Sequence, residues 1–564
     1  MAKSKVWTMT LLPNETSRRS ELLMPAGSLE RLKVAVLYGA DAVYMGTPDM
    51  SLRTKSRFSL EEVKDGIKFA HDHDVRVYLT LNLFTHNKDV PKIEAYLETL
   101  REIKPDGVIV ADPGVFQYIR KHAKEDFNLH ISTQANVCSW ITVDFWKDQG
   151  AELVVLAREV TFDELAEIRA RCPDVKLETF IHGAMCMTYS GRCLLSNFMA
   201  ERGANQGNCA NSCRWQYKVG LRLKDGSIKE LELTEENMGL FEFVLEEGYR
   251  PGDFMPIEED RRGSYILNSK DMCLMPKLND YLRLGIDSLK VEGRNKSPYY
   301  VATVARAYRA AIDDYYKDPE AWDPQPYLQA LESVANRGYT LAFHDGRLKN
   351  FAHNYENTKT IASWEYAGIL REVTEDGFII EVKNKLCAGD VLEFMPPKDL
   401  TGDVFLRLYA FQVVGETEPR TVLHGGAQPR IWIPFTAFDQ EQPDDLKKKF
   451  PPYTIIRKET PLSAEEWQRL KLDKLSQKIE LGQATDALYK DRVAKLQDTI
   501  SEEIMERRSR TSRSGIEGCC GRGCNGCLVF WNDPAYSKAR ALLAEKKHGE
   551  MLDRNMRENG HKAS

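Results

Sequence analysis

Twelve cysteines stand in this 564-residue chain, and eight of them fall in two short stretches. Cys186, Cys193, Cys209 and Cys213 lie in CMTYSGRCLLSNFMAERGANQGNCANSC, with the spacing C-x6-C-x15-C-x3-C. A structural zinc site is normally two close pairs, and only Cys209 and Cys213 come near that pattern. Iron–sulfur clusters are larger and draw thiolates from separated loops. Gly191, Gly203 and Gly207 would let the backbone approach such a cluster. The spacing favours an iron–sulfur cluster, with zinc or unliganded thiols as the other readings. The second stretch, GCCGRGCNGC, carries Cys519, Cys520, Cys524 and Cys527. It is tight enough to wrap a metal ion or a second cluster, with one of the adjacent pair standing aside; redox-active thiols are the alternative. Cys138, Cys172, Cys273 and Cys387 are scattered, the pattern of cysteines that pack as small hydrophobes.

Other chemistry leaves little trace. The chain has no G-x-S-x-G elbow, no H-E-x-x-H and no Walker loop, so hydrolase and nucleoside-triphosphatase signatures fail. A protease reading finds no nucleophile–base arrangement to rest on. The segment before residue 26 lacks the apolar stretch of a secretory signal, and no long uncharged apolar run suggests a membrane span. The expectation is a cytoplasmic protein, in which clustered thiols bind metal more often than they form disulfides. The net charge of -6 is unevenly spread. Residues 507–564 carry +6, which leaves -12 on the rest, and a basic tail on an acidic body hints at a nucleic-acid partner.

The elements that position these groups follow from periodicity. Short apolar runs at 21–25, 41–46, 75–82, 106–112, 129–134, 152–159, 175–183 and 287–293 alternate with helical patterns such as SLERLKVAVLYGA and TFDELAEIRARC. Ser28 and Thr161 stand where helix N-caps belong. Eight such units in about 300 residues suggest an α/β fold, a (β/α)8 TIM-like barrel spanning 20–345, with a doubly wound open sheet as runner-up. Functional groups collect at the carboxyl ends of strands in either architecture, where this sequence has Asn82, Asp112, Gln134, Arg158, His182 and Glu292. His182, Arg158 and Glu292 are the candidate catalytic residues. Arg158 and the Arg294-Asn295-Lys296 turn could hold a small anion. Residues 184–286 form a long insertion that opens with the first cysteine stretch and places it beside the barrel mouth. Residues 355–440 read as a small antiparallel β-barrel or sandwich, with Asp376-Gly377 as a hairpin turn. Residues 455–564 read as a charged helical extension that carries the second cysteine group.

The run ETFIHGAMCMTYSGRCLLS resembles the signature of the collagenase-like peptidase family, peptidase family U32. ELLMPAGSLERLKVAVLYGADAVYMG, NQGNCANSCRWQY and NSKDM followed by SLKVEGRNKSPYYVATVARAYRAAIDD are similar to it as well. The likeness continues through VKNKLCAGDVLEFMPP, to about residue 435. It implies hydroxylation and not proteolysis: formation of 5-hydroxyuridine at the wobble position of tRNA, oxygen-independent and linked to prephenate as co-substrate. Other branches act on a ribosomal RNA cytidine or a quinone ring. The resemblance further implies a 4Fe–4S cluster on Cys186, Cys193, Cys209 and Cys213, with Cys273 as competitor for the fourth place, and leaves room for an electron donor. Residues beyond about 455, with the possible second site, extend past the family's shorter members. Arg192, Arg202, Arg214 and Trp215 are candidate RNA contacts, beside the basic tail.

Overall fold

The computed structural model describes residues 19–46, 58–82, 84–123, 126–185, 269–346, 362–438 and 441–460, with five short strands between Gly220 and Tyr265. Both cysteine groups, the candidate RNA contacts and the extension beyond 460 lie outside the described residues.

Eight parallel strands run in order: β1 (Glu21–Ala26), β2 (Ala42–Gly46), β3 (Arg76–Leu81), β4 (Gly107–Val110), β5 (Leu129–Ile131), β6 (Leu153–Val155), β7 (Lys176–Ala184) and β8 (Ser288–Val291). Each pairs with its predecessor, and β8 pairs with both β7 and β1, which closes the barrel. The expected closed architecture is thus the observed one, and the open sheet is excluded. Six helices alternate with the first seven strands: α1 (Leu29–Leu37), α2 (Leu60–His71), α3 (Val90–Ile103), α4 (Pro113–His122), α5 (Trp140–Asp148) and α6 (Phe162–Arg171). The expected caps are in place. Ser28 accepts from the Arg31 amide, and Thr161 forms a capping box with Glu164. Outward-facing Leu22, Met24, Val43, Val77 and Val108 join helix residues such as Leu32 and Val63 in one core.

Between β7 and β8 the chain makes strand Asp271–Cys273, antiparallel to β7, and then helix α7 (Leu278–Arg283). Cys172 and Cys273 are buried in the barrel core, as expected of scattered cysteines, whereas Cys138 is exposed. Within the insertion, Phe243–Glu246, Phe254–Asp260 and Gly263–Tyr265 form a three-stranded antiparallel sheet, and Gly220–Arg222 pairs with Ile228–Glu230.

After β8, helix α8 (Pro298–Lys317) is capped by Ser297 and buried along most of its length. Its Arg306, 2% exposed, donates to both Asp403 carboxylate oxygens at 2.6 and 3.4 Å. Asp403 belongs to the second folding unit, an antiparallel sheet of β9 (Trp364–Val373), β10 (Gly377–Val382), β11 (Val391–Met395), β12 (Val404–Arg407), β13 (Gln412–Val413), β14 (Arg430–Pro434) and β15 (Ile455–Glu459). Its order, β12-β11-β15-β9-β10-β14-β13, is that of one open sheet and not a sandwich. The hairpin turn falls where Asp376-Gly377 suggested. The sheet extends past the expected end at residue 440, because β15 returns after a short helix to pair with β9 and β11. Its charged residues hid it: Arg457 bonds Glu393, and Lys458 bonds Asp390. Tyr38, fully buried behind α1, ties the two units together. Its hydroxyl donates to the Met395 carbonyl at 2.7 Å and accepts from the Ile455 amide at 2.8 Å.

Candidate active site at the carboxyl end of the barrel

A TIM barrel is usually filled by layers of branched apolar side chains. Here the inward face carries a buried polar network beside a small cluster of Leu23, Ala42, Tyr44, Tyr78 and Ile109. Ser288 Oγ on β8 bridges Glu21 Oε1 at 3.0 Å and Glu178 Oε2 at 3.1 Å. Lys290 donates to Glu178 Oε1 at 2.5 Å, and Tyr78 donates to Glu21 Oε2 at 2.8 Å. All five are buried, with Glu178 at 0% exposure. The Lys290 ammonium also lies over the rings of Tyr44, at 4.6 Å, and Phe180, at 5.6 Å. A buried charge persists only if it is paired and hydrogen-bonded, and each of these is.

Above Lys290 the same two rings carry the groups of the mouth. The Arg158 guanidinium stacks on Phe180 at 3.8 Å, and its Nη2 stands 3.9 Å from Glu292 Oε2. The Tyr44 hydroxyl donates to the Val291 carbonyl at 2.9 Å and lies 3.4 Å from the same Glu292 oxygen. Arg294 approaches Tyr44 at 5.7 Å and donates to Thr80 Oγ1 at 3.4 Å. The Arg294 carbonyl crowds Gly27, where an added Cβ would lie 1.9 Å from it. Only glycine lets β1 run so close to the turn after β8. Two guanidiniums, a carboxylate and a phenol therefore meet at one end of the barrel, on a rigid aromatic floor. Such a site can bind an anionic molecule through charge-assisted bonds and has a carboxylate beside it to hold a proton.

The sequence candidates divide accordingly. Arg158 and Glu292 come together. Asn82 and Gln134 are buried at the ends of β3 and β5, 7% and 6% exposed. Asp112 caps α4, accepting from the amides of Gly114 and Val115 and from Thr85. His182 faces the other way. The β7–β8 register shifts between Lys290 and Val291, so Phe180 pairs with Lys290 while His182 pairs with outward-facing Val291. The imidazole is packed among the rings of Tyr300, Tyr308 and Tyr339 at 5.9, 5.6 and 5.3 Å. Burial pulls its pKa down to about 3, so the ring is neutral in that packing. What His182 gives the mouth is its backbone carbonyl, which accepts from the Glu292 amide at 2.9 Å. Lys296 lies over the Tyr300 ring at 5.1 Å. Tyr44, Phe180, Glu178 and Lys290 were not singled out from the sequence. The signal for them was the spacing of two within Glu178–Phe180 and Ser288–Lys290.

Cys273 is fully buried, and burial pushes its thiol up to about 12. Its sulfur lies 3.9 Å from the Tyr308 hydroxyl. Cys186 follows directly on Met185, which comes just after the last residue of β7 and accepts from Ser269 Oγ at 3.3 Å. Among the described residues no group of three or more His, Cys, Asp or Glu side chains is arranged to hold a metal ion. None of the described helices is long and apolar enough to cross a membrane. At the amino-terminal end of the barrel a cavity of about 660 Å³ is lined by Arg76, Tyr78, Asn128, His130, Lys176 and Glu21, among others. Burial raises Glu21 there to about 7, against the pull of Arg76.

The profile of peptidase family U32 matches residues 27–354. The chain belongs to that family. Its curated U32 relatives include tRNA hydroxylation protein P of Escherichia coli, 37% identical over 440 residues, which covers 74% of this chain and 94% of that protein. Protein P of Haemophilus influenzae is 39% identical, over 68% of this chain and 87% of its own length. A more distant relative, the 23S rRNA 5-hydroxycytidine C2501 synthase of E. coli, is 27% identical over 78% of this chain and 60% of its own length. The U32 match begins just after β1 and spans the other seven strands and both guanidiniums of the mouth.

Proposed function

We propose that this chain is an RNA-modifying hydroxylase that converts uridine at the wobble position of tRNA to 5-hydroxyuridine, without molecular oxygen and with prephenate as co-substrate. The observation that carries the reading is the 37% identity to tRNA hydroxylation protein P across 94% of that protein. The mouth chemistry supports it. Prephenate carries two carboxylates, and Arg158 and Arg294 are two guanidiniums at one strand end. Glu292, 3.4 Å from the Tyr44 hydroxyl, would serve as a proton acceptor at the mouth.

Cys186, Cys193, Cys209 and Cys213 would hold a 4Fe–4S cluster, and the stretch begins one residue after Met185 at the carboxyl end of β7. When bound, such a cluster supplies one-electron chemistry, and an electron donor would serve it. The second group, Cys519, Cys520, Cys524 and Cys527, would hold a second cluster or a metal ion. The basic tail would add phosphate contacts to the RNA.

The test is expression of the chain in a strain without 5-hydroxyuridine, grown anaerobically, with nucleosides quantified by mass spectrometry. Expected is 5-hydroxyuridine in tRNA, lost on Arg158→Met and on Cys209→Ser. Hydroxycytidine in ribosomal RNA instead, or product only in air, would overturn the assignment.

A further inference from the structure

Among the described residues, the buried side-chain oxygens Oδ1 of Asn82 and Oε1 of Gln134 at the barrel mouth have no hydrogen-bond partner. Their residues are 7% and 6% exposed. Buried carbonyl oxygens without donors are costly and rare. Neither amide is needed to finish its strand: Leu81 ends β3, and Ser132 Oγ already accepts from the Gln134 amide N–H at 3.4 Å. Asn82 lies in the inward register of Tyr78 and Thr80, and Thr80 accepts from Arg294 of the mouth.

The two amides stand two strands apart. β3 and β5 are separated by β4 alone, so the strand ends stand about 10 Å apart at the usual spacing. The residue that follows β4 between them is Ala111, small and buried. The charged members of the mouth stand beside them: Arg294 donates to Thr80, two residues before Asn82, and Arg158, after β6, pairs with Glu292.

We propose that Asn82 and Gln134 form the base-reading subsite for a flipped-out pyrimidine, and that the N3–H of a uracil ring donates to one of their orphaned carbonyl oxygens. An imide edge alternates acceptor, donor and acceptor, and a side-chain amide is complementary to half of that edge. Enzymes that act on a base take it out of the stack and read its Watson–Crick edge in a pocket. The assignment divides the mouth by chemistry: neutral amides for the base, guanidiniums for the anionic co-substrate. The inference rests on the reading of RNA as substrate.

The experiment measures binding of the full chain to two stem–loop RNAs by fluorescence anisotropy. They differ only in one loop nucleoside, uridine or 3-methyluridine, which lacks the N3–H. Wild type is expected to bind the uridine loop about tenfold or more tightly, the cost of leaving a buried acceptor unpaired. An Asn82→Leu/Gln134→Leu variant, which keeps the bulk and removes both acceptors, is expected to bind the two RNAs equally. Equal binding by wild type, or full discrimination retained by the Leu variant, overturns the subsite and leaves the RNA reading standing. Failure to bind either RNA overturns both. The wild-type comparison needs no variant to fold.

Discussion

Lys290→Met isolates what the charged barrel interior contributes. In the wild type the Lys290 ammonium and the Glu178 carboxylate are 2.5 Å apart, with side chains 7% and 0% exposed. Methionine keeps the length of the lysine stem and removes the charge. Glu178 then retains the Ser288 hydroxyl as its donor, with Glu21 on the far side of the same serine. Removing one partner of a buried pair costs about 3–5 kcal/mol, because the other charge stays buried and uncompensated. Glu178→Gln leaves the ammonium over the rings of Tyr44 and Phe180. Those rings return about 1–2 kcal/mol, so this variant should lose less. The double variant, Met opposite Gln, buries no charge and should lie above both singles, since replacing a buried pair by neutral groups is often neutral. Urea unfolding followed by far-ultraviolet circular dichroism reads the loss of the barrel helices, since most of the described helix surrounds the barrel. Singles that each cost under about 1 kcal/mol, or a double variant whose loss equals the sum of the two, would refute the reasoning. The pair would then be no more than a solvated surface pair.

Three further outcomes follow from single sites. Tyr38→Phe leaves the Met395 carbonyl and the Ile455 amide without their partner in a fully buried position. It should cost about 1–3 kcal/mol and open the β-sheet unit to limited proteolysis before the barrel. Gly183→Ala should destabilise the barrel and reduce hydroxylation together, because Gly183 has φ +114° and its Cβ would stand 2.5 Å from the Glu292 carbonyl oxygen; a melting scan beside the nucleoside assay checks both. Glu21 is raised by burial from 4.5 to about 7. Its contribution to stability is therefore full below pH 4.5 and lost as pH rises through 7, since the unfolded chain ionises first. Glu21→Gln should gain about 3 kcal/mol on wild type between pH 4.5 and 8. His130 and His182, both lowered to about 3 by burial, act oppositely and weaken the wild type as pH falls below 6.5. A pH series of urea midpoints for the two proteins, with no convergence toward acid, would contradict the Glu21 assignment.

The barrel was legible because its signals are local. A parallel strand covered on both faces reads as an apolar run, and the eight runs from Glu21 to Gly293 coincide with the eight strands to within a few residues. Ser28 and Thr161 announced their helices through capping chemistry that needs only three or four neighbouring residues. Strand β15 was not legible, because Arg457 and Lys458 balance its two isoleucines and their partners, Glu393 and Asp390, lie more than sixty residues earlier. The same limit applied at the mouth. Arg158 and Glu292 stood out as charges at strand ends, whereas His182 looked equivalent to them and is not. One extra residue in β7 turns it outward, and a bulge depends on pairing with β8, which begins about a hundred residues later.

The polar interior explains why that pairing is so closely determined. A one-residue slip in a strand exchanges its two faces. In an all-aliphatic barrel a slip of β8 would trade one branched side chain for another. Here it would carry Lys290 outward into the helix layer, where Val291 packs among apolar side chains, and leave Glu178 facing no cation. The penalty is that of two unpaired buried charges, several kcal/mol each, against a folded state only 5–15 kcal/mol stable. Correct closure of β7 on β8 is thus enforced by the Glu178–Lys290 bond. That closure sets the bulge, the bulge sets the His182 carbonyl, and the carbonyl holds the Glu292 amide at the mouth. The charges inside the barrel therefore position the acid at its rim, and a variant that relaxes them should misplace Glu292 before it unfolds the protein.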